Sequence, residues 1–336
     1  MKSPITGQDM VLTQSRREIT FRKEVVEIVF HHWLCPSSHE SFTSDELDEL
    51  NLAQVHSKYR EKLGIPFVED IKRIRSKYQL PVTTMAEILG LGANSYHNYE
   101  NGEVPSLSNA KLIKFAENTQ AFIEMTEGCT TLDAEKKLQI LKKLERIQRE
   151  EQSRAYSQRW TDHLMGVSEK SIYTGYANPS FDKFAEMVRF FAQELRPFKT
   201  KLNKLLFYAD FTAFKMQGQS ISGMKYLAIE RGPVPHRYES LFDYMVEHGL
   251  IKQETVLFSQ GYLGKSYYLP QSDRVGTSVL SEDELEALRA VALRLKDLTA
   301  SEISELSHLE QAWLENQTES GVISYDYAYG LHVMAI

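Results

Sequence analysis

The stretch from Val82 to Gly102, VTTMAEILGLGANSYHNYENG, constrains this chain more than any other. Thr83 or Thr84 can cap a short helix whose inner face is Met85, Ile88 and Leu89, with Ala86 small enough for a second helix to cross close by. Gly90 is placed to end that helix in the left-handed conformation that glycine adopts at little cost. After Gly92 a second helix begins near Ala93, and Tyr96 and Tyr99, three residues apart, share its buried face. Asn94, Ser95, His97 and Asn98 then point outward as short polar groups suited to base edges or phosphates in a major groove. The pattern is that of a helix-turn-helix.

Bulk properties confine this reading to a local site. A net charge of -7 excludes general coating of nucleic acid, which needs a basic surface. A basic run, Lys58, Arg60, Lys62, Lys72, Arg73, Arg75 and Lys77, precedes the motif and reads either as a phosphate-binding patch or as a solvated helix face. Lys72 and Arg75 are the phosphate candidates within it. No apolar run is long enough to span a bilayer, and the first ten residues lack the apolar core of a signal peptide. With only Cys35 and Cys129, no disulfide framework is expected, and a cytoplasmic location follows.

The segments on either side divide 336 residues into four parts: 1–65, 66–118, 119–174 and 175–336. In the first, Ile19 and Phe21, a turn at Arg22, Lys23 and Glu24, and the alternation of Val26, Ile28 and Phe30 predict a hairpin. A capping box, Thr43 to Glu46, opens a helix that Gly64 stops. Val68, Ile71, Ile74 and Tyr78 mark a further amphipathic helix, and another follows Pro105-Ser106. The charged stretch Leu132–Arg159 reads as one or two exposed linking helices, able to pair with a second chain. In the last part Phe184, Met187, Val188 and Phe191 form one helical face, and Leu202, Leu205, Leu206 and Ala209 another. Two β-like runs follow, Thr255–Phe258 and Ser266–Leu269, and then a helix capped by Ser281. The fold class is mainly α and multidomain: a small hairpin domain, a helix-turn-helix, a helical linker and a mostly helical C-terminal domain with a small sheet.

Chemistry is sparse. Ser3, Thr6, Cys35 and Ser38 stand where a zinc ribbon carries four thiolates, yet hydroxyls bind zinc poorly, and His31, His32 and His39 have no histidine near the first pair to complete a site. No metal or other cofactor is expected. Nucleotide-binding, metalloprotease and nucleophile-elbow motifs are absent, so no catalytic residue is assigned. The corner Glu230–Tyr238 either lines a pocket or redirects the chain.

Several segments taken together carry a resemblance: KLNKLLFYAD at 201–210, ERGPVPHRY at 230–238, LSEDE at 280–284, and SELSH at 304–308 with Trp313. They resemble the Panacea, or SocA-like, domain over residues 175–336. Residues 1–118 resemble the MqsA-type antitoxins, a zinc-ribbon-like hairpin followed by an Xre/Cro-type helix-turn-helix, here with three of the four ligand cysteines replaced. The resemblance implies an antitoxin of a type II toxin–antitoxin system. Its partners would be a co-encoded toxin protein, promoter DNA and a second copy of itself, with repression of its own operon. Toxin-contact residues are not assigned by it. The alternatives are a transcription regulator with a C-terminal sensing domain and a proteolytic adaptor.

Overall fold

The computed structural model describes residues 1–166, 169–257, 261, 263–270 and 279–334, with side chains for all of these except 152–162. The chain forms two compact units, Met1–Gln158 and Arg159–Ile336. It is mainly helical, with three small antiparallel sheets among the described residues.

In the first unit, β1 (Val11–Phe21) and β2 (Glu24–Leu34) pair without interruption from Val11 opposite Leu34 to Phe21 opposite Glu24. The two-residue turn, Arg22 and Lys23, has positive φ at both positions, the geometry whose twist matches a hairpin. A short β3 (Ser41–Phe42) adds to β2. Val26 and Ile28 are buried against Val55 of α1 (Asp45–Leu63), with Ile19, Phe21 and Phe30 packed around them, as the alternation predicts. Two amides of α1 occupy the edge of β2 beyond β3. Asn51 accepts from His31 N (2.8 Å) and donates to His31 O (2.9 Å). Gln54 does the same for Val29 at 3.0 and 2.8 Å. A helix side-chain amide thus substitutes for a missing strand.

At Ser3, Thr6, Cys35 and Ser38, the positions read as those of a zinc ribbon, one hydrogen bond links the two pairs. Thr6 Oγ1 lies 3.2 Å from Cys35 Sγ, and Ser3 Oγ accepts from Ile5 N and Thr6 N. The two knuckles close alike, Gly7 N to Ser3 O and His39 N to Cys35 O, both at 2.9 Å. Hydroxyls of Ser37, Ser38 and Thr6 hold the Cys35 thiol down to about 5. The predicted Thr43–Glu46 box does not form: the cap is Ser44, which accepts from Leu47 N, and Thr43 donates to Asp48 instead.

The helices α2 (Val68–Tyr78), α3 (Val82–Ile88), α4 (Ser95–Glu100), α5 (Leu107–Phe115), α6 (Thr119–Gly128) and α7 (Ala134–Met165) follow. Ile71, Ile74, Tyr78, Met85, Tyr96 and Ile113 share one core with Phe122 of α6 and Ile140 and Leu144 of α7. The stretch read as an exposed linker therefore packs, along its first half, into the core shared by α2 to α6. Its apolar stripe is narrow, and the charged residues around it obscured that it was a packing face. The side chains of 152–162, Arg159 among them, lie outside the described residues.

The second unit is built around α9 (Lys199–Gln217), buried on every side from Lys201 to Phe214 rather than along one face. Packed on it are α8 (Phe181–Leu195), α11 (Glu282–Leu295) and α12 (Ala300–His308). The hairpin β6 (Lys252–Leu257) and β7 (Leu263–Tyr268) matches the two β-like runs; Phe258 lies outside the described residues. A second hairpin, β4 (Tyr226–Ile229) and β5 (Gly232–Pro235), takes the place of the predicted corner. Glu230 and Arg231 make the hairpin turn, His236 and Arg237 turn the chain into the next helix, and two prolines are tolerated because β5 is an edge strand. The helices α10 (Tyr238–Glu247) and α13 (Gln311–Leu314) complete the unit.

Candidate functional site

The stretch read as a helix-turn-helix forms two short helices, α3 and α4. Its first helix starts at Val82 with Pro81 at the cap position, so neither Thr83 nor Thr84 caps it; Thr84 is buried instead. Pro81 brings the helix in early because its fixed φ suits a helix entry. Gly90 has φ +65°, and the N–H of Leu91 reaches back to Ala86 O at 2.9 Å, closing the helix end. The second helix begins at Ser95, with Asn94 in the cap position.

Tyr96 and Tyr99 are buried, and each is tied by its hydroxyl. Tyr96 donates to Ile71 O at 2.8 Å, and Tyr99 accepts from Asn109 Nδ2 at 2.8 Å. Asn94, His97 and Asn98 are exposed, and Ser95 is half-buried. Asn101, which sequence reasoning passed over, joins this row: its amide lies 3.0 Å from His97 Nε2. A second inward group was also missed. Glu100 is buried and takes both arms of Arg75, Nε at 2.7 Å and Nη2 at 3.1 Å, while Arg75 Nη1 donates to Leu80 O at 3.0 Å. An Arg–carboxylate fork is strong and directional, so it orients α4 on α2.

The basic run is largely spent inside the fold. Arg60 is buried, Lys62 pairs with Glu24 (2.8 Å), Arg73 with Glu117 (2.6 Å) and Lys77 with Glu151 (2.7 Å). Of the two phosphate candidates, Arg75 faces Glu100, which makes it framework for α4. Lys72 is exposed and bonds to no group among the described residues.

In the second unit the segments singled out by resemblance form an internal polar lattice. Lys201 Nζ donates to Lys296 O and Leu298 O, at 2.8 and 2.6 Å, capping the end of α11. Lys204 is fully enclosed, donates to Pro233 O at 2.9 Å, and burial pushes its amine down to about 7. A Cβ on Gly232 would sit 2.8 Å from that amine, and φ there is +90°, so glycine is required. Asp210 accepts from Ile221 N (2.8 Å), Ser222 N (2.8 Å), Tyr226 Oη (2.8 Å) and the Ser222 hydroxyl. Burial still raises its carboxyl to about 6. Tyr208 donates to the buried Glu310, and Trp313 stacks on His308 at 4.1 Å while donating to Ile229 O.

These signature residues point inward. Exposed apolar side chains lie elsewhere, notably Leu257 and Leu263, which face each other across the β6–β7 hairpin. Among the described residues no group of His, Cys, Asp and Glu side chains is arranged to hold a metal, and no helix is long and apolar enough to cross a membrane.

No curated protein matches the chain. A family model does match residues 202–314, from α9 to α13: the antitoxin SocA-like, Panacea domain, so the second unit carries an antitoxin-like domain.

Proposed function

We propose that the chain is the antitoxin of a type II toxin–antitoxin pair, binding a co-encoded toxin through its second unit and its own promoter through the first. The observation that carries the antitoxin part is the Panacea match laid over a framework whose signature residues are buried. Such a framework leaves specificity for a particular toxin to surface side chains. The DNA part rests on the polar row Asn94, Ser95, His97 and Asn98, presented by a helix that Arg75 and Glu100 fix in place. Asparagine pairs with adenine through its amide donor and acceptor, and Lys72 supplies a phosphate contact. A dimer on an inverted repeat is the expected binding form.

Co-expression with the neighbouring gene product tests the first part: growth rescue with co-purification supports it. If the chain binds its promoter but rescues nothing, the transcription-regulator reading replaces it. For the second part, Asn94→Ala with Asn98→Ala should cost about 1–3 kcal/mol of operator affinity for each base no longer read. Lys72→Ala should weaken all sequences alike and lower the salt slope by about one. A double asparagine variant that footprints the promoter like wild type removes α4 as the reading helix.

A further inference from the structure

Arg60 lies near the end of α1, is 3% exposed, and donates to three main-chain carbonyls: Pro66, Gly102 (3.2 Å) and Glu103 (3.0 Å). It bonds to no carboxylate among the described residues. Enclosing a guanidinium costs free energy that an apolar side chain would not, so stability alone is a poor reason for it. Its acceptors point to another reason. Gly102 and Glu103 form the turn that ends α4, and that turn holds the helix: Glu103 N donates to Asn98 O at 3.0 Å, and Gly102 N to Tyr99 O at 3.3 Å. A continuous line of bonds runs from α1 through Glu103 to Asn98. A second tie runs beside it, because Arg22 of the hairpin turn donates to Pro105 O at 3.3 Å. Tyr59 and Ile65 pack with Val104 and Ala110 beneath both.

We propose that Arg60 is a positioning residue for DNA recognition: it locks the end of the reading helix to α1, so that the hairpin module and the helix-turn-helix meet DNA as one rigid body. This rests on the DNA-binding reading of α4 above. Arg60 itself touches no DNA in this scheme, and the planar fork matters because one side chain must satisfy carbonyls from two separate loops.

The test uses the full chain, with Arg60→Met and Arg60→Lys compared with wild type by amide exchange and by operator affinity across a salt series. Arg60→Met should keep its helical content, speed exchange of the 101–104 amides about tenfold and weaken operator binding about tenfold. The salt slope should not change, because every phosphate contact is retained. Arg60→Lys should fall between, since an ammonium cannot span both loops. Unchanged exchange, or unchanged affinity in a chain whose wild type binds the operator, overturns the lock. A salt slope reduced by about one overturns it too, because Arg60 would then be a phosphate contact. If Arg60→Met does not fold, Arg60→Lys and Arg22→Ala carry the same two readouts. A wild type that binds no specific operator fells the DNA reading, and exchange at 101–104 still reports whether Arg60 holds the turn.

Discussion

At the scale of single residues, the second unit is governed by buried polar groups whose partners are all internal. Asp210 is the clearest. Four donors converge on a carboxylate with no exposure, and they tie α9 to the 221–226 segment. Asp210→Ala would strand those donors and should cost at least ~3 kcal/mol. Asp210→Asn should be far milder: its Oδ1 still accepts from both backbone N–H groups, and its amide donates to Ser222 and Tyr226, whose hydroxyls can accept. The same pair of variants gives a pH dependence. Folded Asp210 holds its proton to about pH 6, whereas an ordinary aspartate releases it near 3.8. The folded state therefore binds more protons between those values, and this contribution to stability is lost as pH rises through them. Asp210→Asn does not titrate, so it should gain on wild type by up to about 3 kcal/mol between pH 4 and 7. Denaturant unfolding across that range measures it, and parallel profiles would show that the carboxylate is ionised throughout. None of this was legible in the sequence, where Asp210 is the last letter of a resemblance and its donors lie eleven or more residues away.

At the scale of elements, the sequence was readable wherever a residue's role depends on near neighbours. The hairpin alternation, the stripe of α2, Gly90 at the end of α3 and the Ser281 cap each follow from local periodicity or backbone preference, and each is present. What was misread depends on distant partners. The edge of β2 is closed by amides of α1, and Arg60 and Arg75 of the basic run turn inward because carbonyls and Glu100 wait for them elsewhere in the chain. The start of α7 is the sharpest case, since its charge suggested exposure while Ile140 and Leu144 are buried in the core that α2 to α6 form. Leu144 has no exposure, and Leu138, one turn and a half earlier, is 54% exposed. Leu144→Ala should destabilise the first unit by about 2–5 kcal/mol, whereas Leu138→Ala should stay within about 0.5 kcal/mol. Thermal melts of the two variants distinguish a structural α7 from a mere connector: equal, small effects would restore the linker reading.

For the whole molecule, the proposed antitoxin role turns on which stretch suffices to neutralise a toxin. The family match begins at residue 202, but the folding unit does not. Phe184, Val188 and Phe191 of α8 are fully buried. Upstream of them, the 3₁₀ turn Ile172–Thr174 is laced to the loop that Asp210 grips: Ser220 Oγ donates to Thr174 O at 2.8 Å and Ser220 N to Gly175 O at 2.9 Å. The approach is close enough that a Cβ on Gly223 would meet Asn178 at 2.5 Å. Past the match, Glu310 accepts from His332 N and Val333 N, at 2.9 and 3.2 Å, holding the chain after α13. A fragment of residues 169–336 keeps all of these interactions, one starting at 175 lacks the Ser171–Thr174 turn, and 202–314 lacks both flanks. Expressed with the adjacent toxin, 169–336 should fold and restore growth, 175–336 should be less stable, and 202–314 should not accumulate in folded form. Residues 1–158 should bind promoter DNA without restoring growth, because they have a core of their own and lack the Panacea unit. Rescue by 1–158, together with failure of a folded 169–336, would move the toxin contact to the hairpin module and reverse the roles assigned to the two units.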